Sequence, residues 1–238
     1  MNDLSTPEDM PDIDRTEITT HVSPLTLCVV PFRLANGELE IGTIVHLGQT
    51  LLPTGDPIVG EALDDAARRI ICGDAGRAEE YLEQLYTFSL DAPDRRQIVI
   101  SYIALFRESP PTNQLHWVPL TTLELDRPVD RAVLDYAVTR LRAKFGYTNI
   151  AFHLLPSTFT LTELQQAYES VLQHPVDKRN FRRRMTATEI LEDTGQKRRD
   201  GSHRPAALYR FASRDDQAEY LTPSWASARL EPERNEGA

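Results

Sequence analysis

The sequence predicts an α/β (α+β) protein in two parts: a helix-flanked sheet, then a small unit of two helices and a hairpin. Three observations carry this. As far as Phe145, short apolar runs alternate with two amphipathic helical patterns, which suits an α/β sandwich better than an all-β barrel. Beyond Pro156 the charge changes sign. Pro156 to Phe211 holds ten Lys or Arg against seven Asp or Glu, in a chain whose net charge is −10. Such a shift marks domains with different partners. Finally, 238 residues with 40% hydrophobic and 26% charged side chains suffice for one large or two small cores and exclude a wholly disordered or fibrous chain.

The elements follow in order. Residues 1–20 are polar and acidic, without the cationic and apolar regions of a secretory signal, and are expected to form a disordered leader. Leu25 to Phe32 reads as a buried strand and is too short to cross a bilayer, so a soluble cytoplasmic protein is expected. Asn36-Gly37 is a hairpin turn, with Leu39 to Val45 returning. Glu61 to Ala75 reads as a helix carrying Leu63, Ala66, Ala67, Ile70 and Ile71 at helical spacing. Tyr81 to Phe88, Gln97 to Phe106 and Leu115 to Pro119 read as strands. Pro128 to Phe145 reads as a helix with Val129, Val133, Tyr136, Ala137, Leu141 and Phe145 near one face. Cys28 and Cys72 each lie in an apolar run and read as buried thiols. No Cys/His cluster has zinc spacing, and no cofactor is expected.

The second part carries the clearest chemistry. Thr160 followed by Glu163 has the form of a capping box. Leu164, Ala167, Tyr168, Val171 and Leu172 then make one buried helical stripe, which His174-Pro175 ends. Asp177 caps a second helix, Lys178 to Met185, with Phe181 and Met185 inward. Lys178, Arg179, Arg182 and Arg183 face outward, Arg184 lies near the edge, and Asn180 is near the start. A short helix pair whose second member is cationic outside and apolar inside suits a recognition helix in a major groove. A hairpin follows, from Ile190-Leu191 to Leu208–Phe211, turning at Asp200-Gly201. Lys197, Arg198, Arg199 and Arg204 crowd its tip, and His203 reads as a further wing residue. A basic wing of this kind holds phosphates. Alone, Arg182 to Arg184 would read as a solvated face. The second basic cluster, and the absence of acids from Lys178 to Met185, point to DNA. In so acidic a chain, nucleic-acid binding has to come from this local patch.

Leu52 to Gly76 resembles the Nudix box in spacing, with Gly55, Glu61, Arg69, Ile71 and Gly76 at the pattern's positions. The family uses glutamates on one helix face to hold a divalent metal on a pyrophosphate, which suits a hard cation. Here Ile70 and Gly73 replace two of those acids and Asp74 remains. Hydrolase activity is therefore expected to be lost, with no catalytic or metal residues assigned. Glu61, Asp64 and Asp65 are equally accounted for by the helix dipole. Arg69 either bridges to Glu61 or faces solvent.

The stretch from Thr158 to Glu169, Asp177-Lys-Arg-Asn-Phe-Arg-Arg-Arg-Met185, Arg204-Pro-Ala-Ala-Leu-Tyr-Arg-Phe211 and Tyr147-Thr-Asn-Ile-Ala-Phe-His-Leu-Leu-Pro156 resemble the Nudix-related transcriptional regulators. The resemblance runs over roughly residues 20 to 211. It implies a Nudix-like α/β/α sandwich at 21–148 that senses an effector. A winged helix-turn-helix at 149–213 and an acidic tail at 214–238 follow. It also implies a homodimer on a palindromic operator in double-stranded DNA, acting as a repressor of NAD metabolism, with ADP-ribose or a related nucleotide as effector. Phe32, Arg69 and Tyr86 are the candidate effector contacts. Thr54-Gly55, Val129-Asp130-Arg131 and the shortened run His46 to Pro53 depart from the family pattern in the sensor. The alternatives are a metal-dependent pyrophosphohydrolase of nucleotide sugars with an accessory nucleic-acid-binding domain, and a protein-interaction module whose arginines bind an acidic partner.

Overall fold

The computed structural model describes residues 25–73, 79–92, 95–108, 114–187, 190–199 and 205–212. The expected leader and tail, Asp74, Gly76, the Asp200-Gly201 turn, His203 and Arg204 lie outside the described residues. Strand β1 (Leu25–Ala35) runs through the middle of the sheet. Leu27 and Val29 enter one core; Cys28, Val30 and Phe32 enter the other. Burial on both faces is why this strand reads as a continuous apolar run.

Asn36 and Gly37 take the left-handed φ values, 52° and 79°, that a two-residue hairpin needs, and lead into antiparallel β2 (Glu38–His46). A second hairpin through Leu47 and Gly48, at φ 51° and 79°, leads to β3 (Gln49–Leu51). Leu47-Gly48 lacks the Asn-Gly signature, and a leucine seldom takes that conformation, so the turn is not announced locally. Strand β4 (Thr54–Gly55) pairs with β1. Strands β5 (Tyr81–Ala92), β6 (Arg95–Phe106) and β7 (His116–Pro119) complete the order β3-β2-β1-β6-β5, with β7 on β2. The β1 and β6 pair is parallel, and the others are antiparallel.

Helix α1 (Leu63–Cys72) covers one face, packing Ala66, Ala67, Ile71 and Cys72 on Leu27, Val29, Ile100 and Tyr102. It ends at Cys72, where Gly73 takes a positive φ of 55° that a glycine tolerates. Helix α2 (Pro128–Tyr147) covers the other face through Val133, Leu134, Ala137, Val138, Leu141 and Phe145. Tyr136, placed on that face by the sequence pattern, is 40% exposed. It sits about 100° around the helix from Ala137.

A 3-10 turn (Ile150–His153) leads to α3 (Leu161–Leu172), α4 (Lys178–Ala187) and the hairpin β8 (Leu191–Arg198) and β9 (Ala206–Phe211). Leu164, Ala167, Tyr168, Val171, Phe181 and Met185 belong to the same apolar cluster as Val133 and Leu141. The Tyr168 ring meets Phe145 and Phe181 edge-on, each at 5.2 Å between centroids. Arg142 Nε donates to the Val171 carbonyl at 3.0 Å, and Ser170 Oγ to the Gly37 carbonyl at 2.6 Å. The two parts are thus continuous in packing.

Candidate nucleic-acid interface

Helix α3 begins with both halves of the capping box formed. Thr160 Oγ1 accepts from the Glu163 N–H at 3.2 Å, and Glu163 Oε2 accepts from the Thr160 N–H at 2.8 Å. The helix ends where Gln173 turns left-handed, at φ 59°. Asp177 Oδ1 accepts from the Asn180 N–H at 2.7 Å and opens α4. Phe181 and Met185 pin α4 to the core, four residues apart on one face.

Lys178, Arg179, Asn180 and Arg183 are exposed. Arg183 Nη2 donates to Asn180 Oδ1 at 3.1 Å. Arg182 differs from the outward position expected of it. It is half-buried, with Nη2 donating to Thr162 Oγ1 of α3 at 3.0 Å, because α3 crosses on that side. The open cationic face is therefore narrower than the residue types suggest.

In the wing, Gly195 (φ 71°) accommodates a shift of register between Asp193 and Lys197. Backbone bonds between Phe159 and Tyr209, at 2.9 and 2.8 Å, tie β9 to the segment before α3. Phe211 packs on Phe159 and Phe152. Lys197 and Arg199 are exposed. Arg198, expected at the wing's phosphate-holding tip, instead pairs with Glu163 Oε1 at 2.6 Å. Burial pushes the Glu163 carboxyl up. The Thr160 N–H and the Arg198 guanidinium outweigh that and bring it below the usual carboxylate range.

The three candidate effector contacts do not converge. Phe32 is fully buried on the α2 face of β1 and offers an effector no surface. Arg69 bridges to Glu61 through two bonds of 2.8 Å, and donates to the Asp56 carbonyl at 3.0 Å. These bonds, with one from the Ile58 N–H, hold Glu61 down at about 2. Tyr86 is half-exposed, with its ring against Phe88 and Tyr136 of α2, across the sheet from α1.

Around the box, Asp64 accepts from the Tyr102 hydroxyl and Asp65 pairs with Arg68, both at 2.9 Å. Ile70 packs so closely over Gly55 that a methyl there would come within 3.0 Å of its Cγ1. Sequence reasoning missed Arg107. It donates to the Leu155 carbonyl at 2.7 Å and pairs with Glu80 at 3.3 Å, seating the connection to α3. Nothing in the local sequence marks an arginine whose acceptors are carbonyls far along the chain.

A helix-flanked mixed sheet carrying a winged helix-turn-helix, with a cationic second helix, defines a protein of the winged-helix DNA-binding class. A family model described as the NrtR DNA-binding winged helix domain matches residues 151–211. The chain is also 37% identical over 211 residues to the Acinetobacter baylyi protein named ADPR responsive transcriptional repressor NtrR, covering 81% of this chain and 84% of that one. The chain belongs to the NrtR family. Its structure resembles Shewanella oneidensis NrtR, both alone (TM-score 0.71, 83% of this chain and 98% of that one) and complexed with a 27mer DNA (TM-score 0.70, 82% and 96%), at 26% identity in each case. A MutT/nudix family protein from Enterococcus faecalis shares the fold at 20% identity and TM-score 0.63, over 83% of this chain and 91% of that one. Among the described residues, no helix is long and apolar enough to cross a membrane.

Proposed function

We propose that this protein is a DNA-binding transcriptional repressor whose Nudix-like domain senses a nucleotide-type metabolite such as ADP-ribose. It acts as a homodimer on a palindromic operator, with the two domains dividing near residue 148. One observation carries the DNA-binding reading. Helix α4 is pinned by Phe181 and Met185 and turns Lys178, Arg179, Asn180 and Arg183 to solvent with no acid among them. These four residues, with Lys197 and Arg199 of the wing and Arg204, would contact DNA. One short recognition helix reads too few base pairs for genomic specificity, so the protein acts as a dimer. The repressor class and the ADP-ribose response are those stated in the name of the Acinetobacter relative.

The same domain is not a pyrophosphohydrolase. Two of the acids a metal would need are Ile70 and Gly73, and Ile70 is packed against Gly55. Both oxygens of Glu61 already accept from Arg69. The described residues of the box therefore do not fit a hard divalent cation. The test is binding of the purified protein to its own upstream intergenic DNA at several salt concentrations, with and without ADP-ribose. Tight, salt-dependent binding released by ADP-ribose is expected. Metal-dependent release of AMP from ADP-ribose would instead make the protein an enzyme.

A further inference from the structure

We infer that the first turn of α3 is the seat from which both DNA-contacting elements are positioned, and that Arg198 is a positioning residue of the wing rather than a phosphate contact. The inference rests on the DNA-binding reading above. Two successive residues of that turn each hold one arginine from a different element. Thr162 Oγ1 accepts from Arg182 of α4 at 3.0 Å, and Glu163 Oε1 pairs with Arg198 of β8 at 2.6 Å.

The Glu163 carboxylate is itself fixed. Its other oxygen is engaged in the capping box, through the Thr160 N–H and Oγ1. A pair built on a carboxylate already held by its own helix has little freedom left to lose. It therefore sets the height of the strand that brings the arginine.

Strand geometry agrees. Successive side chains of a strand point to opposite faces. Lys197 of β8 is exposed, as is Arg199 just past the strand's end, whereas Arg198, the last residue of β8, turns back onto α3. At the wing's base, the Phe159–Tyr209 backbone pair, the Phe211 ring stack and the packing of Ile190 and Leu191 on the core hold the hairpin. Arg198 pairs with Ala206 at the end of the described ladder nearest the tip. Its bond to Glu163 thus ties the hairpin to α3 at the end of the ladder away from those base contacts. It orients Lys197 and Arg199 toward the phosphates. The bond to Glu163 occupies one end of the Arg198 guanidinium and offsets its charge, which leaves it a poorer phosphate partner than the exposed cations beside it.

A double-mutant cycle on the full-length protein tests this. Arg198→Ala, Glu163→Gln and the double variant are titrated against a duplex that the wild-type protein has selected from a random pool, at several salt concentrations. Glutamine keeps the capping box, so the helix start survives. Each single variant is expected to weaken binding by roughly fivefold, the effect of one such ion pair. The double variant should be no worse than either single, with the slope of log affinity against log salt unchanged. Amide exchange in β8 without DNA should quicken to a similar extent in all three.

Three results would overturn the inference: additive losses, a slope reduced by about one in Arg198→Ala but not in Glu163→Gln, or tighter binding by Glu163→Gln, which would mean that the pair withholds Arg198 from phosphate. If the wild type selects no duplex with salt-dependent affinity, the DNA reading itself fails. If it does and the cycle is additive, only the positioning role fails.

Discussion

At the scale of single residues, one residue type serves opposite ends according to what lies beside it. Arg183 is exposed and donates to Asn180 of its own helix, whereas Arg182, one position earlier, leans on Thr162 of α3. Arg183→Ala is therefore expected to weaken DNA binding and to lower the salt slope by about one, as the removal of a single phosphate-neutralising charge should. Fluorescence anisotropy titrations at several salt concentrations measure both, and an unchanged affinity would remove Arg183 from the interface. Glu61 illustrates the reverse commitment. Hydrogen bonds from Arg69 hold its carboxyl near 2, against an ordinary value of 4.5. A carboxyl depressed in the folded state stabilises the protein above its unfolded value and loses that contribution as pH falls through its folded one. Between pH 4.5 and about 2 the wild type should therefore lose stability faster than Glu61→Gln, and the two curves should converge at the acid end. Urea unfolding followed across that range measures it, and parallel curves would show that the bridge contributes nothing.

At the scale of elements, helix starts and turns were legible wherever the local chemistry is self-sufficient. Thr160 and Glu163 form the reciprocal cap that their spacing announces. Thr160→Ala removes one half of it and should cost about 0.5–2 kcal/mol, read from the midpoint of chemical unfolding. A neutral outcome would mean that packing alone sets where α3 begins. The Asn36-Gly37 hairpin was legible for the same reason: both residues tolerate positive φ. The Leu47-Gly48 hairpin was not. Its leucine is held left-handed by the pairing of β2 with β3, which no local preference announces. Helix α2 was placed correctly along the chain, yet Tyr136 faces partly outward beside Tyr86 and Phe88. An amphipathic pattern gives the period of a helix and not which of its edge residues a neighbouring element will cover.

At the scale of the whole molecule, the change of charge at Pro156 suggested two domains with different partners, and the apolar cluster joins them, passing from Val133 through Phe145 and Tyr168 to Phe181 without a break. Thermal unfolding is therefore expected to be one cooperative transition, with near- and far-ultraviolet circular dichroism coincident. Two separated transitions would show that the halves melt independently. Arg107 contributes to that union by bonding the Leu155 carbonyl and pairing with Glu80. Arg107→Ala should lower stability by about 1–3 kcal/mol, because it leaves carbonyls without their charged donor. It should also loosen the response of the DNA-binding end to ligand, seen as a smaller ratio of DNA affinities without and with ADP-ribose. A ratio equal to the wild type's would assign Arg107 to stability alone.

The sequence by itself determined the helices, the long strands, the degenerate box and the cationic second helix, but not the Leu47-Gly48 hairpin. Each depends on residues near one another along the chain: a period, a cap, a turn dipeptide, a run of like charge. Only the tertiary structure decided which charges are available. Arg69 is bound to Glu61 and Arg198 to Glu163, and Phe32 is sealed in the core. Partners drawn from distant segments compete for the same side chain, and that competition is resolved by packing, which no local pattern records.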